Sequence, residues 1–183
     1  DQKSDMRYRF LNSCSIEEYQ KKLERGWRRF GKIHFVPECK SCTKCVSMRI
    51  DVKNFQFSKS QKRVLNKNKD TKVFIRPPTV TKEHMDLYHK YHTIMQDKKD
   101  WKYVHIDHED YIKSYVEGNT KYATEFLYLR DDELIGVALV DILPNAISSI
   151  YCFYDHDFEE FSIGKFSILT QINIAKELNI PYI

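Results

Sequence analysis

Apolar and polar positions change period several times along the 183 residues, and each change marks an element. Residues 7–11 read as a short strand. Ser15 followed by Glu18 is the reciprocal capping arrangement of a helix start; Ile16, Tyr19 and Leu23 then share one face until Gly26 stops the helix. Residues 27–35 read as extended. Val46, Met48, Ile50 and Val52 alternate with Ser47, Arg49 and Asp51, which predicts a half-buried strand. Residues 58–69 place Lys59, Lys62, Arg63, Lys67 and Lys69 around Val64 and Leu65, a basic helix with a narrow apolar side. A strand at 73–75 ends at Pro77-Pro78, taken as a boundary between domains 1–77 and 78–183.

Beyond that boundary Thr81 caps a helix to about residue 96, with Met85, Tyr88, His92 and Met95 on one stripe. Asp107 caps a second helix ending at Gly118. Strands at 121–130, 134–143 and 146–155 follow, with turns at Asp131-Asp132 and Pro144-Asn145. An acidic loop leads to Ser162-Ile163-Gly164 and a long helix to Leu178, whose expected buried face is Ile168, Ile172, Ala175 and Leu178. A last strand opens at Pro181-Tyr182-Ile183, and the chain reads as a fragment with terminal elements missing.

Helix, helix, a meander of three strands, helix and strand is the order of an acetyltransferase-type (GNAT-like) core. The predicted fold class is therefore α+β: a GNAT-like acyltransferase core, a mixed sheet with flanking helices, preceded by a smaller cysteine-containing N-terminal domain. In such a core a glycine-rich turn opens a helix, and its amides cradle a pyrophosphate. Here Gly164 stands alone among acids, so the fold is expected without coenzyme A as donor.

Composition narrows the partners. A net charge of +4 and a pI near 8.7 permit a nucleic-acid partner without demanding one. Five cysteines, three of them crowded, argue against a disulfide framework and for a reduced, cytoplasmic compartment. No apolar run is long enough for a transmembrane helix and no leader pattern opens the chain, so no membrane partner is expected.

The stretch Arg25-Gly26-Trp27-Arg28-Arg29-Phe30-Gly31, with Cys39, Cys42 and Cys45 close behind, is not what a packing core needs. Cys39, Cys42 and Cys45 form a C-x2-C-x2-C run, either a candidate zinc or iron–sulfur site or a knuckle of reduced thiols. Arg28 and Arg29 offer forked hydrogen bonds to a carboxylate or phosphate; on a strand they face opposite sides, so one belongs in a site. Asp141 interrupts the apolar run Leu139–Leu143 and must be matched by a positive group, either a substrate ammonium or a neighbouring arginine. Tyr151 and Tyr154 either pack in the core, stack on a nucleobase or line an amino-acid pocket, and no histidine spacing marks a metal site.

Arg25–Gly31 and the cysteine run, Ser60-Gln61-Lys62-Arg63-Val64-Leu65, Val140-Asp141-Ile142-Leu143-Pro144, Tyr151-Cys152-Phe153-Tyr154-Asp155 and Ser162-Ile163-Gly164 together resemble the aminoacyl-tRNA–protein transferases, most nearly the bacterial aspartate/glutamate leucyltransferase branch. The resemblance implies transfer of an amino acid, leucine in that branch, from aminoacyl-tRNA to an N-terminal Asp or Glu, which marks the protein for degradation. It implies Asp141 and Tyr151 as catalytic, and Arg28, Arg29, Tyr154, Asp155, Ser162 and Gly164 as substrate-binding. Lys59, Lys62 and Arg63 fall on one helical face, either a solvated basic face or, as the resemblance implies, one that meets tRNA phosphates, with no DNA partner and no cofactor required for the chemistry. It also implies a further cysteine ahead of Asp1 and an aromatic strand beyond Tyr182. The alternatives are an arginyl-tRNA–protein transferase, a coenzyme-A-dependent acetyltransferase, and an RNA-binding module with a structural zinc knuckle.

Overall fold

The structure is a computed structural model that describes residues 4–103, 105–118 and 121–183. Strand β1 (Met6–Phe10), helix α1 (Ile16–Glu24), and strands β2 (Arg28–Phe30) and β3 (Ile33–Pro37) form an N-terminal unit with sheet order β1-β3-β2. Ser15 Oγ accepts from the Glu18 amide at 3.1 Å and fixes the start of α1. Residues 27–35, expected as one extended run, fold back instead. Gly31 adopts φ +51° and turns β2 into β3.

That turn touches the second half of the chain. A Cβ built on Gly31 would lie 1.8 Å from the Lys113 carbonyl oxygen. Gly31→Ala therefore meets both left-handed strain and a backbone clash. We expect a loss of about 2–4 kcal/mol, read as a lower urea midpoint with an unchanged slope.

Helix α2 (Lys59–Lys67) forms as expected; Ser58 and Gln61 complete a capping box. Strand β4 (Lys72–Arg76), helix α3 (Lys82–Lys99), helix α4 (His108–Tyr111) with a wider turn over Ile112–Val116, and strands β5 (Ala123–Arg130), β6 (Glu133–Ile142) and β7 (Ile147–Tyr154) follow. A 3-10 turn, His156–Phe161, leads into helix α5 (Ile163–Glu177). The sheet order is β4-β5-β6-β7, antiparallel at each pairing. The parallel component expected of a mixed sheet is confined, among the described residues, to the bridge between Ala146 and Tyr182.

Strand β4 lies before Pro77-Pro78 and yet pairs along its length with β5, so this sheet crosses the boundary expected at residue 77. Buried Glu125 of β5 reinforces the crossing: it accepts from Arg76 Nε at 2.7 Å and from the Thr79 amide at 3.2 Å.

The sheet has a core on each face. Leu87, Tyr88 and Tyr91 of α3 pack on Leu127, Val137, Leu139 and Phe153. Ile163, Phe166 and Ala175 of α5 pack on Phe126, Tyr128, Ala138 and Val140. The expected face of α5 is partly corrected: Ile172 and Ala175 are buried, but Leu178 is 56% exposed, and Ser167 and Gln171 are buried in its place. These two polar residues join Ser149 and the Tyr128 hydroxyl in one hydrogen-bond chain, which satisfies them inside. The strand expected over 46–52 is also corrected. Val46 and Met48 are exposed; the Val46 amide reaches only the nearby Lys44 carbonyl, and the backbone bonds to another segment are those of Ile50 and Val52 with residues 181–183.

Candidate active site

Strand β7 carries an irregularity. Leu139 and Val140 of β6 are consecutive, but their partners are Tyr151 and Ser149, so Ile150 is an extra residue. Such a bulge shifts the alternation of side chains. Ser149 points to α5, where it meets Gln171, while Tyr151 points to α3. Without the extra residue both would share one face.

On the α3 side Tyr151 meets His92. The His92 Nδ1 lies 2.7 Å from the Tyr88 carbonyl oxygen, which can only accept, so Nδ1 carries the proton. Nε2 is left as an acceptor for the Tyr151 hydroxyl at 2.6 Å. Burial pushes the His92 imidazole below its ordinary 6.5, partly offset by the Tyr88 carbonyl, and raises the Tyr151 hydroxyl. Both are therefore neutral near pH 7. The pair lines a pocket of about 570 Å³ with Tyr88, Trp101, Tyr103 and Ile106.

On the other side of the bulge a larger cleft of about 1030 Å³ runs between α1, the start of β7 and residues 181–183. Arg28, Arg49, Ser148 and Tyr182 line it. Arg49 lies over the Tyr182 ring at 4.1 Å. The Arg28 guanidinium donates to the Trp27 carbonyl at 2.8 Å and has no carboxylate partner among the described residues.

The twin arginines separate, as their alternation requires. Arg29 turns inward and binds Asp141 in a forked ion pair: Nε donates to Oδ2 at 2.8 Å, and Nη2 to Oδ1. Both side chains are almost fully buried. The guanidinium sits 5.3 Å from the Tyr122 ring and donates through Nη1 to the Gly31 carbonyl at 3.1 Å. Burial pushes the Asp141 carboxyl above its ordinary value, with the Arg29 guanidinium pulling the other way. Of the two partners open to Asp141, the neighbouring arginine is the one found, and Arg29 is correspondingly withdrawn from the cleft.

The remaining site residues are dispersed. Tyr154 packs on Tyr91 at 5.2 Å and covers Gly164, where an added Cβ would lie 2.9 Å from the Tyr154 ring. The glycine thus admits an aromatic ring, not a pyrophosphate. Asp155 is buried, accepts from Lys90 at 2.7 Å and from the Asp157 amide at 2.9 Å. Ser162, at φ +53°, makes the left-handed corner into α5. Lys59, Lys62 and Arg63 are exposed on α2, without a carboxylate partner among the described residues.

The three cysteines do not converge. Cys39 Sγ accepts from the Asp5 amide at 3.4 Å, while Cys42 and Cys45 are exposed. No group of three or more His, Cys, Asp or Glu side chains among the described residues is placed to hold a metal ion. The donors as arranged do not fit a zinc or cluster site. No described helix is long and apolar enough to cross a membrane.

The residue that sequence reasoning misses is His92. It falls on the apolar stripe of α3, and its polarity there, one turn after Tyr88, is the signal that could have found it.

The fold is shared with the structure of L-PGS from Bacillus licheniformis, at TM-score 0.54 and 13% identity, over 96% of this chain and 50% of that one. It is also shared with the C-terminal domain (DUF2156) of a putative lysylphosphatidylglycerol synthetase from Agrobacterium fabrum, at TM-score 0.51 and 11% identity, over 73% and 43%. At such identities the likeness is one of fold alone. Family profiles go further. The N-terminal profile of arginine-tRNA-protein transferase matches residues 1–63, and the C-terminal profile matches 83–183. The chain belongs to the arginine-tRNA-protein transferase family. Among its relatives, an aspartate/glutamate leucyltransferase of Campylobacter jejuni is 46% identical over all 183 residues and 77% of that protein. The aspartate/glutamate leucyltransferase of Helicobacter hepaticus is 42% identical over 98% of this chain and 74% of its own length. That of Pseudomonas syringae is 33% identical over 90% and 69%.

Proposed function

We propose that this chain transfers leucine from aminoacyl-tRNA to the α-amine of proteins beginning with Asp or Glu, in the cytoplasm, as a step in degradation governed by the N-terminal residue. The observation that carries the mechanism is the neutral His92–Tyr151 pair lining an aromatic pocket. The donor is an ester and already activated. The enzyme must hold the amine against the ester carbonyl and manage one proton. As the amine attacks, its proton passes to the Tyr151 oxygen while the Tyr151 proton passes to His92 Nε2. The peptide C–N bond forms and the ester C–O bond breaks. The proton then returns along the same pair to the leaving ribose oxygen, and no cofactor is consumed.

Arg28 lines the larger cleft without a carboxylate partner among the described residues, and we assign it to the carboxylate of the acceptor's first side chain. The four-stranded sheet with α5 is read as a GNAT-like core. The Tyr154 ring over Gly164 favours an ester donor over coenzyme A. Residues 1–77 and 78–183 are read as a division of labour, RNA-facing and catalytic, rather than of sheets. The direct test is to incubate the complete protein with a mixed charged-tRNA pool and peptides starting with Asp, Glu or Ala, and read mass. The expected result is a leucine added to Asp and Glu peptides only. An arginine in its place would move the chain to the arginyl branch; no addition from any charged tRNA would remove the reading.

Lys59, Lys62 and Arg63 are assigned to tRNA phosphates. Replacing all three by Ala should weaken tRNA binding and flatten the slope of log affinity against log salt by about two units, at roughly 0.7 per contact. Preference for acidic N-termini should not change.

A further inference from the structure

The register of the N-terminal sheet sets Tyr8 opposite Phe35, and both Phe10 and Phe30 opposite Ile33. Directly opposed residues share a face. The reverse face is buried at Arg29 and His34, while Arg7 and Arg9 at its β1 edge are exposed. The outward face is not: Tyr8 is 62% exposed and Phe10 67%. Contiguous exposed rings of this kind mark a surface that something covers.

The rings run in a line. Tyr8 lies 6.4 Å from Phe35, Phe35 stacks on Phe30 at 5.5 Å, and Phe30 lies 6.5 Å from Tyr151, the residue paired with His92. The line starts on an edge strand whose sequence, Arg7-Tyr8-Arg9-Phe10, interleaves cations with rings. Arg7 binds Glu38, and Arg9 has no carboxylate partner among the described residues. No residue of the outward face is acidic.

We infer that this face is the platform on which the unpaired 3′ nucleotides of the aminoacyl-tRNA stack, so that the acyl group arrives beside Tyr151. The inference rests on the transfer reading above and adds where the donor's end lies. Bases stack on sheet aromatics without regard to sequence. Arginines on an edge strand extend around it to the phosphates. Arg28, opposite Phe35, shares this face at its β2 side and there lines the cleft assigned to the acceptor; the exposed rings of β1, which carry no such role, are left to the donor.

The test measures the affinity of the complete protein for one deacylated tRNA, intact or trimmed of its unpaired 3′ nucleotides. Trimming should weaken binding by the wild type about tenfold or more. The double variant Tyr8→Ala/Phe10→Ala should bind intact tRNA as weakly as the wild type binds trimmed tRNA, and should no longer distinguish the two. Tyr8→Phe/Phe10→Tyr should keep wild-type affinity. The proposal is overturned if the alanine variant weakens both tRNAs equally, or leaves both unchanged. It is also overturned if that variant only converts a self-associating protein to single chains. A wild type that neither binds tRNA nor transfers an amino acid removes the functional reading itself; transfer by the wild type with unchanged tRNA affinities in the alanine variant removes the platform alone.

Discussion

Asp141→Ala should lower stability by about 3–5 kcal/mol, because it leaves the Arg29 guanidinium buried and unpaired. Stability is typically about 5–15 kcal/mol, so at the low end of that range the loss removes most of it. Arg29→Ala should cost a comparable amount from the other side. Replacing both, as Arg29→Met/Asp141→Leu, removes both charges while keeping volume. Most of the loss should be recovered, since a buried pair adds little over apolar packing. The same variants address catalysis. If the double variant folds and transfers leucine near the wild-type rate, Asp141 acts by holding β2 against the β6 end of the large sheet. If it folds to the wild-type urea midpoint and is inactive, the carboxylate takes part in the reaction and the structural account is wrong.

That pair shows where the sequence is legible and where it stops. A carboxylate within Leu139–Leu143 is a visible anomaly, and the demand for a partner follows from burial alone. The partner lies 112 positions away in the chain, and no local period carries such a distance. The same division holds for the fold. Capped helices and the β5–β6–β7 meander are readable because caps, turns and alternation are local: Ser58 with Gln61, Thr81 with the His84 amide, and the left-handed Asp131-Asp132 turn. The strand expected over 46–52 fails for the opposite reason. Alternation of Val46, Met48 and Ile50 is a necessary sign of a strand, but pairing is settled by a neighbour, and among the described residues only 181–183 supply one. The bulge at Ile150 is likewise invisible, since it is defined by register with β6 and not by any residue within β7. That single extra residue turns Tyr151 to the α3 side, away from Ser149 and toward His92. The candidate site is therefore half legible: Tyr151 and Arg28 by type and motif, His92 only once register is known.

Tyr151→Phe removes the hydroxyl and little else: the ring keeps its contacts with Phe30, Tyr115 and His92. Stability should change by about 1 kcal/mol, the net worth of one hydrogen bond. The transfer rate should fall about 10²- to 10⁴-fold, the range for a lost proton-transfer group, with the loss in kcat and little change in KM for either substrate. His92→Gln keeps a polar side chain at the position and should lower kcat similarly, because the Tyr151 proton then has no basic acceptor. The pH profile separates a proton relay from a packing role. His92 accepts only when neutral, and burial lowers its value from the ordinary 6.5. In the wild type the rate should show, besides its dependence on the acceptor amine, an acidic limb lying below 6.5, where His92 becomes protonated. In His92→Gln that limb should vanish, leaving a slow rate that follows only the acceptor amine. If Tyr151→Phe retains a wild-type kcat, or if the acidic limb survives in His92→Gln, the pair serves to pack α3 against β7 and the proton is taken up elsewhere.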